Sequence, residues 1–173
     1  MEIGHIGLYV RDFDKMLSFY QSIFGFAITD IDRNDKRSIV FLTADPTSHH
    51  QFVLVTGRPE AEQHLMNQLS FRLKTLGELR RVYINLVDHG MNNLDPITHG
   101  IAWSVYCADP EGNRIEAYVD TPWYITQPYR KTIDLTASEG EIYAQTEALC
   151  REAPGYQPMA EWSEMTARNI RSL

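Results

Sequence analysis

Cysteine is scarce: Cys107 and Cys150 are the only two in 173 residues. Two thiols in a chain of this length do not make a disulfide scaffold, and neither sits in a metal or nucleophile pattern. Long apolar runs are missing as well. No stretch approaches the roughly 18 residues needed to span a bilayer. No basic segment followed by an apolar core opens the chain, so a secretory leader is not expected and a reduced, cytoplasmic protein is. Positive charge is in short supply, with 16 Lys and Arg against 23 Asp and Glu and a net charge of −7. That balance argues against nucleic acid or an anionic membrane as the main partner, since both require a basic face. A Gly-rich phosphate loop is absent, as is a serine-nucleophile motif. What remains is ordinary globular composition, 43% hydrophobic and 23% charged, enough to build a real core.

The hydrophobic pattern repeats. Residues 3–10 alternate as a strand does, with His5, Gly7 and Tyr9 on one side and Ile6, Leu8 and Val10 on the other. Asp12 is placed to cap a helix whose apolar positions are Phe13, Met16, Leu17 and Tyr20, and Gly25 ends it. Strands are expected over 26–31, 38–42 and 51–55. A strand at 69–73 then precedes helical spacing at Leu76, Leu79, Val82, Tyr83 and Leu86, with Gly90 as the stop. Strands follow at 101–107 and 114–119. Val10 falls on Leu73 and Tyr20 on Tyr83 at an offset of 63 residues, while Ala44-Asp45-Pro46 recurs as Ala108-Asp109-Pro110 at 64. Two anchors that nearly agree indicate a duplicated βαβββ unit, and units of this size bury their apolar faces by pairing.

The organisation expected is a first module at 1–57, a linker at 58–67 holding His64, a second module at 68–120, and a C-terminal loop and helices at 121–173. In that tail, 121–129 is rich in aromatics and proline. Ser138-Glu139-Gly140-Glu141 has capping-box spacing ahead of a helix reaching about Cys150, and a second helix is expected over 160–171. His89 lies at a helix end, where the dipole favours a cation. Trp103, Trp123 and Tyr124 suit a wall for a planar ring, and equally a core or a dimer contact.

One segment carries chemistry. It runs His99, then Tyr106 at the end of a strand, then the turn Asp109-Pro110-Glu111-Gly112-Asn113, then Glu116 on the next strand. This order resembles the signature of type I extradiol ring-cleavage dioxygenases, within the vicinal-oxygen-chelate superfamily. That group also holds glyoxalases, fosfomycin-resistance enzymes and bleomycin-binding proteins. The resemblance covers about residues 2–120 and implies an α+β fold of two paired βαβββ modules around a metal cleft, here with a C-terminal helical extension.

It also implies roles. Glu116 and His5 match metal ligands of the family. The third ligand position, a His in the extradiol enzymes, falls on Gln68, whose neutral amide oxygen suits iron less well than an imidazole does. The metal implied is a divalent ion, Fe(II) first, with Mn(II), Zn(II) or Ni(II) as alternatives. The segment Ser48-His49-His50 resembles the His-His pair opening the last strand of the family's first module, which makes His50 the acid/base, since an imidazole exchanges protons near neutrality. Alternation from His50 through Phe52 to Leu54 points His50 toward the cleft, and the 64-residue offset sets apolar Phe52 where Glu116 lies in the second module. His99 and Tyr106 would bond the substrate's oxygens. The expected protein is therefore a homodimeric dioxygenase acting on a small catechol-like molecule. The same superfamily also offers a metal-dependent isomerase, lyase or thiol transferase, and a binding protein without catalysis.

Overall fold

A computed structural model describes residues 4–60 and 66–171. His64 and part of the expected linker lie outside the described residues. The elements in chain order are β1 (Ile6–Val10), α1 (Phe13–Phe24), β2 (Ala27–Arg33), β3 (Ser38–Thr43), β4 (Phe52–Thr56), β5 (Leu69–Arg72), α2 (Leu76–Asp88), β6 (Asp95–Thr98), β7 (Ala102–Ala108), β8 (Arg114–Asp120), β9 (Trp123–Tyr124), β10 (Lys131–Thr132), α3 (Glu139–Glu152), β11 (Gln157–Pro158) and α4 (Met159–Arg171). The architecture is α+β, with two successive βαβββ modules and a helical C-terminal extension. Among the described residues, no helix is long and apolar enough to cross a membrane.

The chain divides into two compact units: residues 1–68 with 108–114, and residues 69–107 with 115–173. In the first, the strand order is β1-β4-β3-β2, with β1 and β4 parallel. Helix α1 forms where the apolar spacing predicts it. Asp12 accepts a bond from the Lys15 amide, and Gly25, at φ 69°, turns the chain out of the helix through a left-handed conformation. Its buried face carries Phe13, Met16, Leu17, Tyr20 and Ile23. The turn between β7 and β8 belongs to this unit. There the Glu111 carboxylate takes the Asp12 amide at 2.8 Å and the Arg58 guanidinium at 3.1 Å, and the Tyr20 hydroxyl donates to Asp109 at 2.9 Å.

The second unit holds a five-stranded sheet in the order β10-β6-β7-β8-β5, with β5 and β8 parallel. Strand β6 falls between the periodic segments and is only four residues long, too short for alternation to reveal. The capping box at Ser138 and Glu141 is formed in both directions, so α3 starts at the residue its spacing indicates. The extension packs on this unit: Trp103, fully buried, meets Tyr143 at 4.6 Å and donates its indole N–H to Thr146 at 2.7 Å. Trp123 is also core.

Register corrects one reading of the repeat. Gly7 pairs with Val53 across β1 and β4, and Ser70 pairs with Glu116 across β5 and β8. The 63-residue offset that carries Gly7 to Ser70 thus carries Val53, not Phe52, to Glu116. The first module's Asp-Pro turn is one residue longer, and a one-residue slip reverses every side chain. Phe52 faces α1, its ring 4.7 Å from that of Tyr20. His50 precedes the strand, so strand alternation does not extend to it.

Gly100 sits at φ 74°, and a Cβ there would lie 2.2 Å from Ile125 Cδ1 and 3.3 Å from Cys150 Sγ. Ile125 and Cys150 are fully buried, so neither has room to give way. Gly100→Ala combines a disfavoured backbone with overpacking and is expected to cost about 1–3 kcal/mol or more. Chemical denaturation checks this, and a loss under 0.5 kcal/mol would show the 121–129 loop to be loosely seated. Burial also pushes the Cys150 thiol up to about 11, with Glu147 adding to the shift, which leaves it inert as a nucleophile.

Candidate active site

The second unit gathers three of the residues singled out in the sequence. Alternation along β7 and β8 places Ala102, Ser104 and Tyr106 beside Glu116 and Tyr118 on one face of the sheet, and β5 adds Ser70 and Arg72. Glu116 is only 7% exposed, and three hydroxyls converge on it. Ser104 Oγ donates to Oε1 at 2.8 Å, Tyr106 OH to Oε1 at 2.6 Å, and Ser70 Oγ to Oε2 at 2.6 Å. A buried carboxylate needs such donors, because in a low-dielectric site each bond to the charged form offsets lost hydration.

His99 continues the chain of bonds. Its Nδ1 lies 2.8 Å from the Tyr129 carbonyl and its Nε2 3.1 Å from the Tyr106 hydroxyl. A carbonyl only accepts, so Nδ1 carries a proton and Nε2 is the exchanging nitrogen. Nε2 is also 4.0 Å from Glu116 Oε1. A proton arriving at Nε2 can be donated to the Tyr106 oxygen while the Tyr106 O–H points at Glu116. The loop between β9 and β10 holds His99 from both sides, since the Gln127 amide also donates to the His99 carbonyl at 2.8 Å.

A cavity of about 690 Å³ opens beside this group, lined by Ser70, His99, Glu116 and Tyr118 and, from the extension, by Tyr124 and Trp162. Burial and the neighbouring Asp120 raise the Tyr118 phenol above its ordinary value, so it stays protonated and able to donate. Ser70 and Ser104 had no motif to mark them. Ser104 had one signal, parity with Tyr106 along β7, and Ser70 had none, since its partner Glu116 lies 46 residues away. Tyr124 lines the cavity, whereas Trp103 and Trp123 are core.

In the first unit, His5 and His50 lie together with ring centroids 4.5 Å apart. His49 Nε2 bonds Asp30 at 2.8 Å, and His49 Nδ1 faces His50 Nδ1 at 2.8 Å. With His49 donating to the carboxylate, its neutral ring accepts at Nδ1. His50 then donates from its own Nδ1 and keeps Nε2 as its basic nitrogen. Desolvation, with the charge of His5 adding, lowers the His50 pKa below the ordinary imidazole value, which favours the neutral, proton-accepting ring. Gln68 ends the longer of the first unit's two segments, two residues before Ser70.

Among the described residues, no three His, Cys, Asp or Glu side chains gather as a metal-binding group. The donor chemistry does suit a divalent cation, since Glu116 is a buried carboxylate on a cavity wall and His5 an exposed imidazole.

Known proteins are similar to this chain. The chain is 28% identical over 124 residues to biphenyl-2,3-diol 1,2-dioxygenase 3 of Rhodococcus globerulus, covering 68% of this chain and 63% of that relative. It therefore spans less than two thirds of the relative's length. A glyoxylase/bleomycin resistance protein/dioxygenase domain from Frankia sp. superposes with a TM-score of 0.60 at 20% identity, over 70% of this chain and 98% of that one. A manganese-bound variant of the fosfomycin resistance protein FosX from Listeria monocytogenes superposes at 0.56 and 19% identity, over 69% and 93%. The pattern of one family spans residues 2–117, which takes in both modules to the middle of β8, and by that match the chain belongs to the Glyoxalase/Bleomycin resistance protein/Dioxygenase superfamily.

Proposed function

We propose that the protein is a metal-dependent extradiol dioxygenase that opens the ring of a catechol-like substrate with O2. The observation that supports this reading is the bonded chain Glu116–Tyr106–His99, whose two ends, Glu116 and His99, line one cavity. We assign His5, Gln68 and Glu116 as the metal's ligands, with Fe(II) as the ion. A divalent cation held there would supply the positive charge that lets two adjacent hydroxyls bind as oxyanions. The chain's own residues do the rest. His50 Nε2 takes a proton from the diol and returns it, while His99 and Tyr106 bond the substrate's oxygens and keep the ring oriented.

Oxygen uptake by Fe(II)-loaded protein across a panel of catechols tests the reading, with a yellow ring-opened product as the positive result. No uptake with any diol would end it. Binding of the ion has its own readout. Free metal at 100 times its Kd raises stability by about 2.7 kcal/mol, a rise in Tm of roughly 5–10 °C, which chelation reverses.

Gln68 supports a second reading. An amide oxygen is a harder donor than imidazole and suits Mn(II) or Mg(II), as in an isomerase, lyase or thiol transferase. Elemental analysis of the purified protein separates the two.

A further inference from the structure

The family pattern ends at residue 117, yet the group that receives the His99 ring proton lies beyond it, at Tyr129. Ile125 is fully buried, and Lys131 of β10 pairs with Thr98 of β6. Between those two anchors the extension runs past His99. There one side chain bonds both the main chain of the histidine and the residue that faces its ring. The Gln127 amide donates to the His99 carbonyl at 2.8 Å, and its oxygen accepts from the Tyr129 N–H at 3.2 Å. The Tyr129 carbonyl in turn accepts from His99 Nδ1 at 2.8 Å. A backbone carbonyl only accepts and a backbone N–H only donates, so a single orientation of the amide serves both neighbours. The result is a closed ring of hydrogen bonds that begins and ends at His99.

Gln127 does little for the core. Its side chain is exposed, where water offers the same bonds, and holding a long side chain still costs rotamer freedom. Its effect falls on the position of one proton. A neutral imidazole carries a single ring proton, and an unconstrained ring shares it between Nδ1 and Nε2. With the Tyr129 carbonyl held against Nδ1, a bare Nδ1 would meet another lone pair, so the proton stays on that nitrogen. Nε2 is then left bare, 3.1 Å from the Tyr106 hydroxyl, on a side chain that lines the cavity. A bare Nε2 accepts a bond from a diol hydroxyl. In the other tautomer it could only donate.

Resting on the dioxygenase reading for its effect on turnover, we propose that Gln127 is a positioning residue: it holds the Tyr129 carbonyl where the His99 proton stays on Nδ1, so that Nε2 meets the diol as an acceptor. A residue outside both duplicated modules thus sets the state of one inside them.

Long-range proton–nitrogen correlation NMR of the full chain with isotope-labelled histidine shows which ring nitrogen carries the proton. Spectra are taken at about pH 8.5, above the ordinary imidazole range, with Zn(II) added as a diamagnetic ion. The His99 signals are those lost in His99→Gln. The native protein is expected to show a protonated Nδ1 and a bare Nε2. Gln127→Met keeps the length and removes both bonds, so both nitrogens should move to averaged positions. Gln127→Glu should do the same, because its carboxylate still accepts from Tyr129 but opposes the His99 carbonyl. Both variants should melt within about 2 °C of the native protein, since the side chain is exposed. Oxygen uptake supplies the second readout, with kcat lower by at least about threefold and KM changed by less than about twofold. Averaged signals in the native protein, or a fixed tautomer in both variants, overturn the assignment. A released tautomer with unchanged kcat overturns it as well. The two readings fail separately: a tautomer that Gln127 fixes, with no diol turnover in any form, supports the positioning ring and removes the dioxygenase.

Discussion

Glu116→Gln is expected to lose more than about 100-fold in kcat/KM toward diols while still folding. The substitution keeps the shape of the side chain and removes its charge. Ser70, Ser104 and Tyr106 all donate to the carboxylate, and a Gln amide offers one oxygen in place of two. Hydroxyls rotate, so part of the network is rebuilt around that oxygen, and the structural loss stays modest. The functional loss does not. Residues that merely orient a metal's ligands typically contribute about 10–100-fold, and an assigned anionic ligand contributes more. Three measurements are needed: oxygen uptake, metal content by elemental analysis, and the metal-dependent rise in Tm. All three should fail together in Glu116→Gln. Retained metal with retained turnover would falsify the role given to Glu116. Glu116→Ala should behave differently. It also removes the acceptor of three hydroxyls in or beside a buried site, at about 1–3 kcal/mol for each one left without a partner, so it is expected to be unstable as well as inactive.

Trp103→Ala is expected to be the most destabilising single change on β7, at about 3–5 kcal/mol. The indole is fully buried and lies edge-on to Tyr143 at 4.6 Å and to Trp123 at 6.1 Å, with its N–H bonded to Thr146. It joins the sheet to α3, so its loss should loosen the extension before the rest of the unit. Trp103→Phe keeps the ring contact and gives up the bond to Thr146, for a loss nearer 1–2 kcal/mol. Guanidinium unfolding gives both values. A cost below 1 kcal/mol for Trp103→Ala would mean that α3 does not depend on this contact. Parity keeps the two predictions independent. Ser104 and Tyr106 face Glu116, and Trp103 faces the opposite side of the sheet, so Trp103→Phe should leave diol affinity nearly unchanged in the folded protein.

Much of the fold was legible because its signals are local. The apolar stripe of α1, the Asp12 cap, the Gly25 stop and the Ser138–Glu141 capping box each lie within one or two turns of chain, where periodicity and side-chain bonding to the backbone act directly. The repeat was legible for the same reason, as the same local pattern written twice. The order His99, Tyr106, Glu116 could be read along the chain through its resemblance to the extradiol signature, and one hairpin, β7 with β8, sets Tyr106 beside Glu116. Strand β6 was not legible, since four residues are too few to show a period.

Other features depend on register and on packing between distant segments. The counterpart of Glu116 is Val53 because hydrogen bonding pairs Gly7 with it, and one extra turn residue is invisible to an offset taken from a motif. Ser70 meets Glu116 across 46 residues and Trp103 meets Thr146 across 43, distances at which sequence spacing says nothing about contact. The aromatic tail was ambiguous by composition alone. Packing sent Trp103 and Trp123 into the core and Tyr124 to the cavity, where α4 laid Trp162 against it. The sequence by itself therefore determined the duplicated modules, their caps and the order of the reactive side chains, all of which local chemistry enforces. Only the tertiary structure decided which hydroxyls surround the buried carboxylate and which rings wall its cavity, because those neighbours are chosen by burial of apolar surface and not by position along the chain.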